Sequence, residues 1–475
     1  MKITDLIPKR MRIFVRNRRF EKEHRKKYKV RFQKVSELIK GLDLKMDSSR
    51  NKTNPIHILI FVTDGLRKNN LSVYGYNRET TPNIDKFSNK SRVYHNLFSA
   101  APWSYPSIPS MFTGLYPTKH GAHHKELLRN FNTQTFPPPI KEEILTIAEI
   151  LNSVGFKTYT GTDNIISNLP LKGRFQFTDV HFSNQIAENI NRNYLRWLDR
   201  NKEFNTFSYL HVNDLHEPIV IPKNFRSSFG KIGNINNIDR WDWDGGLNYD
   251  NPEFEEYKSE KLKLYDSSIK YVDHSLIPIF DFFSKIDNKL IFITADHGEE
   301  FWEHGPMEKE HFYDPRDIYG VAHGHSLFNE VIQVPMIIQG LRLDNKIDTN
   351  LRSHCDIFPT IIEHLNITMN NLDLDGKSMY EDISNRIVLS EACSFGFEKK
   401  AVIDGHYKLI ASEGDKKYLL FDLENDEYEQ KILKDRNIIN RLKRHILRTD
   451  DDTGATAVLD ERIKDELKKL GYLKD

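Results

Sequence analysis

A run of seven residues, His57–Thr63, restricts the fold of this chain more than any other segment. Its centre, Ile58–Val62, is continuously apolar, which is typical of a strand buried on both faces of a parallel sheet. Helices and strands alternate after it: we predict helices at 145–154, 186–198 and 261–283, and strands at 157–160, 206–212 and 290–295. This alternation indicates an α/β fold built on a doubly wound sheet.

Residues 1–50 form a basic N-terminal leader. Residues 1–40 hold 15 Lys or Arg and 4 Asp or Glu, and the apolar residues between them follow no clean helical period. Two interpretations stay open at this point. The leader is either a solvated, partly helical segment with a few residues docked on the body, or a basic amphipathic segment that lies on an anionic membrane surface.

The net charge, the lengths of the apolar runs and the cysteine count limit which partners and which compartment we expect. The net charge is +1, so the whole molecule is not expected to bind nucleic acid. No apolar run approaches the roughly 18 residues of a membrane span, and the first residues lack the apolar core of a secretory signal. The chain has 2 cysteines, too few for a disulfide framework. We therefore expect a cytoplasmic protein, held at the membrane surface under the second interpretation of the leader.

The remainder of the chain divides into two predicted units. The main domain covers 51–385, and within it 222–260 is rich in Asn, Gly, Asp and aromatic residues and is expected to be an inserted surface loop. Trp241 and Trp243 in this loop either pack it or stack on a sugar. Residues 386–475 form a smaller subdomain. Its short strands at 386–389, 401–403, 407–410 and 418–422 predict an antiparallel sheet, and a terminal helix is expected around 458–470.

Two buried strands are each followed at once by acidic residues. Asp64 follows the first, and Asp296-His297-Gly298-Glu299 follows the strand at 290–295. In an open α/β sheet, ligands bind beyond the carboxyl ends of the strands. Asp64, Asp296 and His297 offer two carboxylates and one imidazole, which suit Mn²⁺ or Zn²⁺ better than Ca²⁺, although Ca²⁺ stays open. An Asp at a strand end can also simply cap a helix or make a turn.

Ser104 opens the run Ser104-Tyr105-Pro106-Ser107-Ile108. Because Pro suits the first turn of a helix, Ser104 is expected at or near a helix N-terminus. There the helix dipole favours negative charge by a few tenths to about 1 kcal/mol, which helps a serine alkoxide to form. The alternative is an ordinary capping serine.

Short motifs along the chain stand in a characteristic order. They are Ile58–Asp64, Thr81–Asp85, Ser104–Pro117, Lys119–Gly121, His216–Pro218, Asp296–Glu299, Val334–Pro335, Asp356–Thr360, Gly405–Lys408 and Leu420–Asp426. Each motif is weak alone, but their order and spacing resemble the sulfatase branch of the alkaline-phosphatase superfamily over about residues 55–425. The resemblance implies an α/β/α sandwich that carries the catalytic site, with a smaller C-terminal antiparallel subdomain.

The resemblance also implies roles for individual residues. Asp64, Asp296 and His297 would hold one divalent metal ion, and Ser104 would complete the metal shell as the nucleophile. His216 resembles the family histidine that contacts the ester oxygen, where it acts as a general acid or holds the transferred group. It can alternatively be a structural histidine.

The chain departs from the family pattern at several positions. Sulfatases usually carry Arg four residues after the nucleophile, whereas this chain has Ile108, so formylglycine is not expected to form at Ser104. Gly65 follows Asp64 where a second acid is frequent. The Asp296-His297 pair is similar to that of phosphonate-ester hydrolases and phosphoethanolamine transferases. His323 and His325 stand near the position of a family lysine, and they either supply the missing cation, bind metal or lie on the surface.

These features predict a metal-dependent hydrolase that cleaves a sulfuric ester, on a glycan or a similar small substrate, by in-line attack of Ser104. His216, with His323 or His325, would assist the leaving group. Two alternatives remain open at this stage. One is hydrolysis of a phosphomonoester or phosphodiester, or transfer of a phospho-group to a glycan or lipid head group, by unmodified Ser104. The other is a non-catalytic binding protein on a decayed site.

Overall fold

The computed structural model describes residues 9–46, 54–124, 128–130, 136–180, 186–233, 235, 238, 252–342, 344–370 and 372–446. Its strands are β1 (Lys45–Met46), β2 (His57–Thr63), β3 (Arg92–Tyr94), β4 (Leu97–Phe98), β5 (Leu128–Asn130), β6 (Lys157–Thr162), β7 (Phe177–Val180), β8 (Thr206–Val212), β9 (Lys289–Ala295), β10 (Glu300–Phe301), β11 (Val321–Ala322), β12 (Met336–Gln339), β13 (Ile347–Asp348), β14 (Arg352–Ser353), β15 (Ile367–Thr368), β16 (Ile387–Ser390), β17 (Phe395–Phe397), β18 (Lys400–Asp404), β19 (Tyr407–Ser412) and β20 (Lys417–Asp422).

Its α-helices are α1 (Lys9–Lys40), α2 (Pro82–Ser88), α3 (Ser104–Thr113), α4 (Pro117–His120), α5 (Ile147–Ser153), α6 (Ile165–Asn168), α7 (Ala187–Asn201), α8 (Pro252–Ser275), α9 (Ile277–Ser284), α10 (Gly305–His311), α11 (Asn329–Ile332), α12 (Ile357–His364) and α13 (Arg436–Ile446). The predicted terminal helix around 458–470 lies outside the described residues, as do Trp241 and Trp243 of the predicted insertion.

A central sheet of 8 strands carries the main body, in the order β13-β3-β12-β9-β2-β8-β6-β7. The strands β9, β2, β8, β6 and β7 run parallel, and β12 runs antiparallel to both β9 and β3. Every residue of β2 and β8 is buried, as expected for inner strands covered by helices on both faces. The predicted α/β fold is confirmed.

One predicted helix is divided in the structure. The sequence pattern predicts a single helix over 261–283, but α8 ends at Ser275 and α9 begins at Ile277. Pro278 stands in the first turn of α9, where its missing N–H and fixed φ favour the start of a helix rather than its interior. The apolar period continues across the break, because both helices pack on the same core.

The C-terminal region builds a separate antiparallel sheet of 4 strands, ordered β16-β18-β19-β20. One face of this sheet packs on Phe328 and Val331 of the main body. The other face is covered by α13, whose Leu442 and Ile446 contact a cluster that includes Leu409 and Leu420. The small antiparallel sheet predicted after the main domain is therefore present, while the predicted domain boundaries stay predictions.

Helix α1 docks on the body through polar contacts and through Val35, which is buried in the main apolar core. His24 Nε2 donates to the Phe175 carbonyl at 2.9 Å, and the Gly173 N–H donates to His24 Nδ1 at 3.3 Å. Arg31 pairs with Glu149 at 2.5 Å. The approach is close, since a Cβ on Gly173 would lie 2.9 Å from Lys27 Cβ. Across the described part of the chain, none of the helices combines the length and hydropathy that a membrane crossing requires.

Candidate active site

Three neighbouring strands direct polar side chains to one edge of the central sheet. Asp64 follows β2, Asp296 follows β9, and His211 is the second-last residue of β8. Val62 of β2 is paired with His211 on one side and with Thr294 on the other. Side chains alternate along a strand, so His211, Asp64 and Asp296 all point to the same face. The strand register therefore brings these three ligand types together.

The side chains converge on a small buried volume together with His297. His297 Nε2 lies 3.5 Å from Asp64 Oδ1 and 3.4 Å from Asp296 Oδ2. His211 Nε2 lies 3.5 Å from Asp64 Oδ2 and 3.7 Å from Asp296 Oδ2. All four residues are fully buried. These separations exceed normal hydrogen bonds, as expected for atoms arranged around a common centre rather than bonded to one another.

Several of these converging atoms have no hydrogen-bond partner among the described residues. They are Asp64 Oδ1, Asp296 Oδ2 and His211 Nε2. Leaving buried polar atoms unsatisfied costs about 1–3 kcal/mol each, and more for charged groups. A divalent cation would satisfy all of them at once, and carboxylates with imidazoles form a donor set that such ions accept. The residues present therefore fit a metal ion, and His211 is a candidate ligand that the sequence analysis missed.

Hydrogen bonds with neighbouring groups hold the side chains of His297, His211 and Asp296 in position. His297 Nδ1 donates to the Gly298 carbonyl at 2.8 Å, which turns Nε2 toward the carboxylates. His211 Nδ1 lies 2.7 Å from the Tyr209 hydroxyl. Asp296 Oδ1 accepts from the backbone N–H of Gly65 and of His297. Such contacts fix the ring orientation of ligating histidines.

The electrostatic environment keeps the Asp64 carboxylate ionised. Burial alone would raise its pKa, but His216, His211 and His297 around it hold the pKa of Asp64 below its usual range. An ionised Asp64 is the form that binds a cation.

Ser104 lies at the start of α3, with Trp103 as the N-cap. Its Oγ is 3.4 Å from Asp64 Oδ2 and 3.5 Å from His297 Nε2, and the side chain is buried. The predicted position at a helix N-terminus is confirmed. Ser104 is the first residue of α3 and not its N-cap. Ile108, one turn later, is fully buried in the main apolar core.

Asn164 is a second residue that the sequence analysis did not single out. Its Oδ1 caps α6 by accepting from the Ser167 N–H at 2.9 Å. Its Nδ2 donates to Asp64 Oδ2 and lies 3.4 Å from Ser104 Oγ. The capping role fixes the side chain so that its amide faces Ser104 Oγ.

The structure places two of the three predicted proton-handling histidines beside this pocket. The ring of His323 lies 4.1 Å from that of His297 and 5.1 Å from that of His216, measured between ring centroids. His323 Nδ1 is 3.1 Å from Glu299 Oε1. Burial lowers the pKa of His323 well below its ordinary value, and His297 and His216 lower it further. His323 is therefore neutral near neutral pH.

His325 lies in a different environment from the other two. Its Nε2 is 3.2 Å from Glu308 Oε2 and its Nδ1 is 3.3 Å from the His323 carbonyl. These contacts belong to a neighbouring cluster of carboxylates rather than to the pocket around Ser104. The structure thus brings together Asp64, Ser104, His216, Asp296, His297 and His323, and it groups His325 separately.

Comparisons with known proteins agree with this architecture. The family model described as Sulfatase matches residues 56–367. An endo-4-O-sulfatase of Bacteroides thetaiotaomicron is 21% identical over 331 residues, covering 59% of this chain and 61% of the relative. An ulvan-active sulfatase of Formosa agariphila is 23% identical, covering 61% of this chain and 48% of the relative. The chain thus spans about half to three fifths of the length of these curated relatives.

Solved structures show the same fold. A phosphonate monoester hydrolase of Agrobacterium radiobacter superimposes with a TM-score of 0.61 at 15% identity, covering 83% of this chain and 95% of that one. The phosphonate monoester hydrolase of Silicibacter pomeroyi gives a TM-score of 0.62 at 15% identity, covering 82% of this chain and 94% of that one. With the family model matched over most of its length, this chain belongs to the sulfatase family.

Proposed function

We propose that this protein hydrolyses a sulfuric ester, on a glycan or a similar small substrate, by in-line attack of Ser104. The observation that carries the proposal is the position of Ser104 Oγ, buried within 3.5 Å of both Asp64 and His297 at a helix N-terminus. The family and the named glycan sulfatases among its relatives support this class of ester.

The metal ion would be held by Asp64, Asp296 and His297, as the resemblance implies, and by His211. Two imidazoles among four ligands favour Zn²⁺ or Mn²⁺ over Ca²⁺, which prefers shells of oxygen atoms. When bound, such an ion polarises a non-bridging oxygen of the ester and lowers the pKa of a coordinated hydroxyl.

The protein residues would manage the attacking and leaving groups. Asn164 Nδ2 faces Ser104 Oγ and can donate to the oxygen that attacks. His323 is neutral and is oriented through Nδ1 by Glu299, so it can accept the proton of Ser104. His216 stands beside His323 and would give a proton to the departing alcohol oxygen as its bond to sulfur breaks. Water must then hydrolyse the ester formed on Ser104, which releases sulfate and restores the serine.

The charge of the pocket favours a sulfate monoester over a phosphate monoester. The family arginine is replaced by the buried Ile108, and Asn164 brings an uncharged amide to the nucleophile. Sulfate monoesters carry one negative charge fewer than phosphate monoesters, so they tolerate a pocket with few cations better.

A second candidate activity is hydrolysis of a phosphate diester or phosphonate monoester, or transfer of the phospho-group. Two observations favour it: unmodified serine suits phosphoryl chemistry, and phosphonate monoester hydrolases are among the structural neighbours. Such substrates also carry a single negative charge, so the same charge argument accommodates them.

The two candidates separate in one experiment. Purified protein loaded with Zn²⁺ or Mn²⁺ is assayed on 4-nitrophenyl sulfate, bis(4-nitrophenyl) phosphate and 4-nitrophenyl phenylphosphonate, with the Ser104→Ala variant as control. A kcat/KM for the sulfate above those for the phosphorus esters supports the first proposal. The reverse order overturns it in favour of the second, and equal rates for wild type and Ser104→Ala would remove both.

The chemical state of Ser104 gives an independent check. The mass of the peptide that spans Ser104, prepared from the native host, would be lower by two hydrogen atoms if the side chain were oxidised to formylglycine. Formylglycine would support sulfuric-ester hydrolysis. Unmodified serine, which is expected because Ile108 replaces the arginine that normally accompanies the modification, would favour the phosphorus-ester candidate.

We also propose that α1 contacts an anionic membrane surface. Lys22, Lys26 and Lys29 are exposed at helical spacing along its outer side, and Val30 and Phe32 next to them are 65% and 44% exposed. Basic residues beside exposed apolar ones are the combination that binds anionic lipid surfaces.

A further inference from the structure

A second group of metal-ligating side chains lies beside the site of Ser104 and takes no part in the proposed reaction. It consists of Glu300 in β10, Glu308 in α10 and His325 in the loop after β11. The exposed fractions of these residues are 0%, 2% and 3%. One ligand atom from each lies within 4.8 Å of the others.

The orientation of the imidazole defines which nitrogen faces the carboxylates. His325 Nδ1 lies 3.3 Å from the His323 carbonyl, to which it donates. His325 Nε2 therefore faces Glu308 Oε2 at 3.2 Å and Glu300 Oε2 at 3.8 Å. A neutral imidazole in this tautomer presents a lone pair between the two carboxylates.

One oxygen of this group lacks a partner. Glu308 Oε2 accepts from the Gly320 N–H at 2.6 Å, but Glu308 Oε1 is buried without a hydrogen bond among the described residues. Both carboxyl oxygens of Glu300 have hydrogen-bond donors: one accepts from the His304 N–H and the other from the Ser326 hydroxyl, each at 3.2 Å. The unpartnered oxygen belongs to a side chain with almost no access to water.

Glu300 and Glu308 each disfavour ionisation of the other: burial, and then the nearby Glu308, raise the pKa of Glu300 well above its ordinary value. His304 pairs with Glu330, and although burial alone would lower its pKa, Glu330 raises the pKa of His304 to about 9. His304 and Glu330 are thus an ion pair that neutralises itself. Glu300 and Glu308 are left to share His325, with Lys399 acting on Glu308 more weakly than His325 does.

We propose that Glu300, Glu308 and His325 bind a second divalent cation, Zn²⁺ or Mn²⁺, separate from the one at Asp64 and Asp296. Two carboxylates and a neutral imidazole around such an ion form an electrically neutral unit, which low-polarity surroundings favour over a net buried charge. Glu308 Oε1, which lacks a hydrogen bond among the described residues, is available as a further ligand atom. This site does not depend on which ester the protein hydrolyses.

The second ion would fix the segment that carries His323. It would join β10, α10 and the loop 323–326. These pieces also meet through the pairing of Glu300–Phe301 with Val321–Ala322 and through the hydrogen bonds of Glu308 with Gly320 and of Glu300 with Ser326. His323 lies in that loop with its ring 4.1 Å from His297. The ion is therefore a positioning element for His323 and not a participant in the reaction.

The test is the metal content of the full chain. Wild type, Asp296→Asn, Glu308→Gln and His325→Gln are equilibrated with Zn²⁺, separated from free metal and measured by elemental analysis. We expect wild type to bind one ion more than Asp296→Asn and one more than Glu308→Gln or His325→Gln. An unchanged content in Glu308→Gln and His325→Gln would overturn the proposal.

Two controls keep the result interpretable. His406, Asp422 and Glu424 form a surface group that could bind Zn²⁺ adventitiously, so His406→Ala is measured in parallel and is expected to retain both ions. If Glu308→Gln and His325→Gln both fail to fold, Asp296→Asn in a His406→Ala background decides the matter. One remaining ion supports the second site, and none overturns it, because a proton shared by Glu300 and Glu308 would then account for the cluster.

Discussion

Asn164 Nδ2 lies 3.4 Å from Ser104 Oγ, at a position where the same amide also donates to Asp64. One side chain thus contacts both the proposed nucleophile and a proposed metal ligand. It is held there by the cap that it provides to α6. The amide brings a hydrogen-bond donor to the site without bringing a positive charge.

Replacement of Ser104 by alanine is expected to lower kcat/KM by at least about a thousandfold, because the group proposed to attack the ester is removed. Ser110→Ala is the matched control: this serine is also buried in α3, but it bonds to the Pro106 carbonyl and His120. Thermal unfolding should show both variants folded. Comparable rates in Ser104→Ala and wild type would refute the nucleophile.

Asn164→Asp is expected to lower kcat/KM by about a hundredfold, since it removes a donor at the nucleophile and places a carboxylate against Asp64. An aspartate still caps α6, but its buried repulsion with Asp64 should lower the melting temperature, so activity is compared at a temperature where thermal unfolding shows both proteins folded. Asn164→Ser keeps the cap and adds no charge, and its milder loss would measure the repulsion separately. Equal activity of Asn164→Asp and wild type would show that the amide has no role at Ser104.

His211→Gln is expected to weaken the binding of Zn²⁺ at the Asp64 site by at least about tenfold, because a ligand is lost from the buried shell. His57→Gln is its control. His57 is also a buried strand histidine, but it lies at the opposite end of β2 and bonds to Thr206 Oγ1 at 2.9 Å. Competition with a chromophoric chelator measures both. A similar affinity in the two variants would exclude His211 from the metal shell.

His24 makes the attachment of α1 sensitive to acid. Burial lowers the pKa of His24 to about 4, and its Nδ1 must stay unprotonated to accept from Gly173. The unfolded value is 6.5. The unfolded or detached state therefore binds the extra proton first, so stability falls as pH drops from 6.5 toward 4, by about 3 kcal/mol in full.

Hydrogen exchange of the α1 amides across this pH range, corrected for intrinsic rates, would detect the effect. His24→Gln should flatten the pH dependence, whereas His274→Gln, at an exposed histidine, should leave it as in wild type. A slope in His24→Gln equal to that of wild type would mean that other groups control the docking of α1.

Charge reversal on α1 tests the proposed membrane contact. Lys22, Lys26 and Lys29 changed to Glu should abolish sedimentation with vesicles that contain phosphatidylserine, because each basic residue near such a surface contributes about 1 kcal/mol. The same charge change at Lys434, Arg436 and Arg444 in and before α13, all exposed, is the control. Equal losses in both variants would indicate a general charge effect and no specific surface on α1.

The main sheet could be predicted because its inner strands are uniformly apolar. The predicted strand at 206–212 has the bounds of β8, and that at 290–295 differs from β9 by one residue. The position and packing of helix α1 could not be predicted from apolar residues in this way. Its docking combines polar contacts of His24 and Arg31 with apolar contacts near its C-terminal end, at Val35, Leu38 and Ile39. The apolar positions alone therefore trace no clean period along the helix.

The candidate site could be predicted only where residues stand just beyond a strand. Asp64, Asp296 and His297 do so, and Ser104 precedes a proline. His211 lies inside a strand, where a lone histidine is usually a core residue, and its side chain becomes a ligand only once β8 is known to pair with β2. Asn164 resembles an ordinary helix cap. Its second contact, with Asp64, depends on a residue 100 positions away.

The pairing of Val62 with both His211 and Thr294 has a consequence for assembly of the sheet. A chain in which β8 joined β2 one residue out of step would turn His211 to the far side and lose a metal ligand. Only a chain with the native strand register could therefore bind the ion with the full set of ligands. Metal binding would stabilise that register relative to slipped pairings of β8 with β2 while the protein folds.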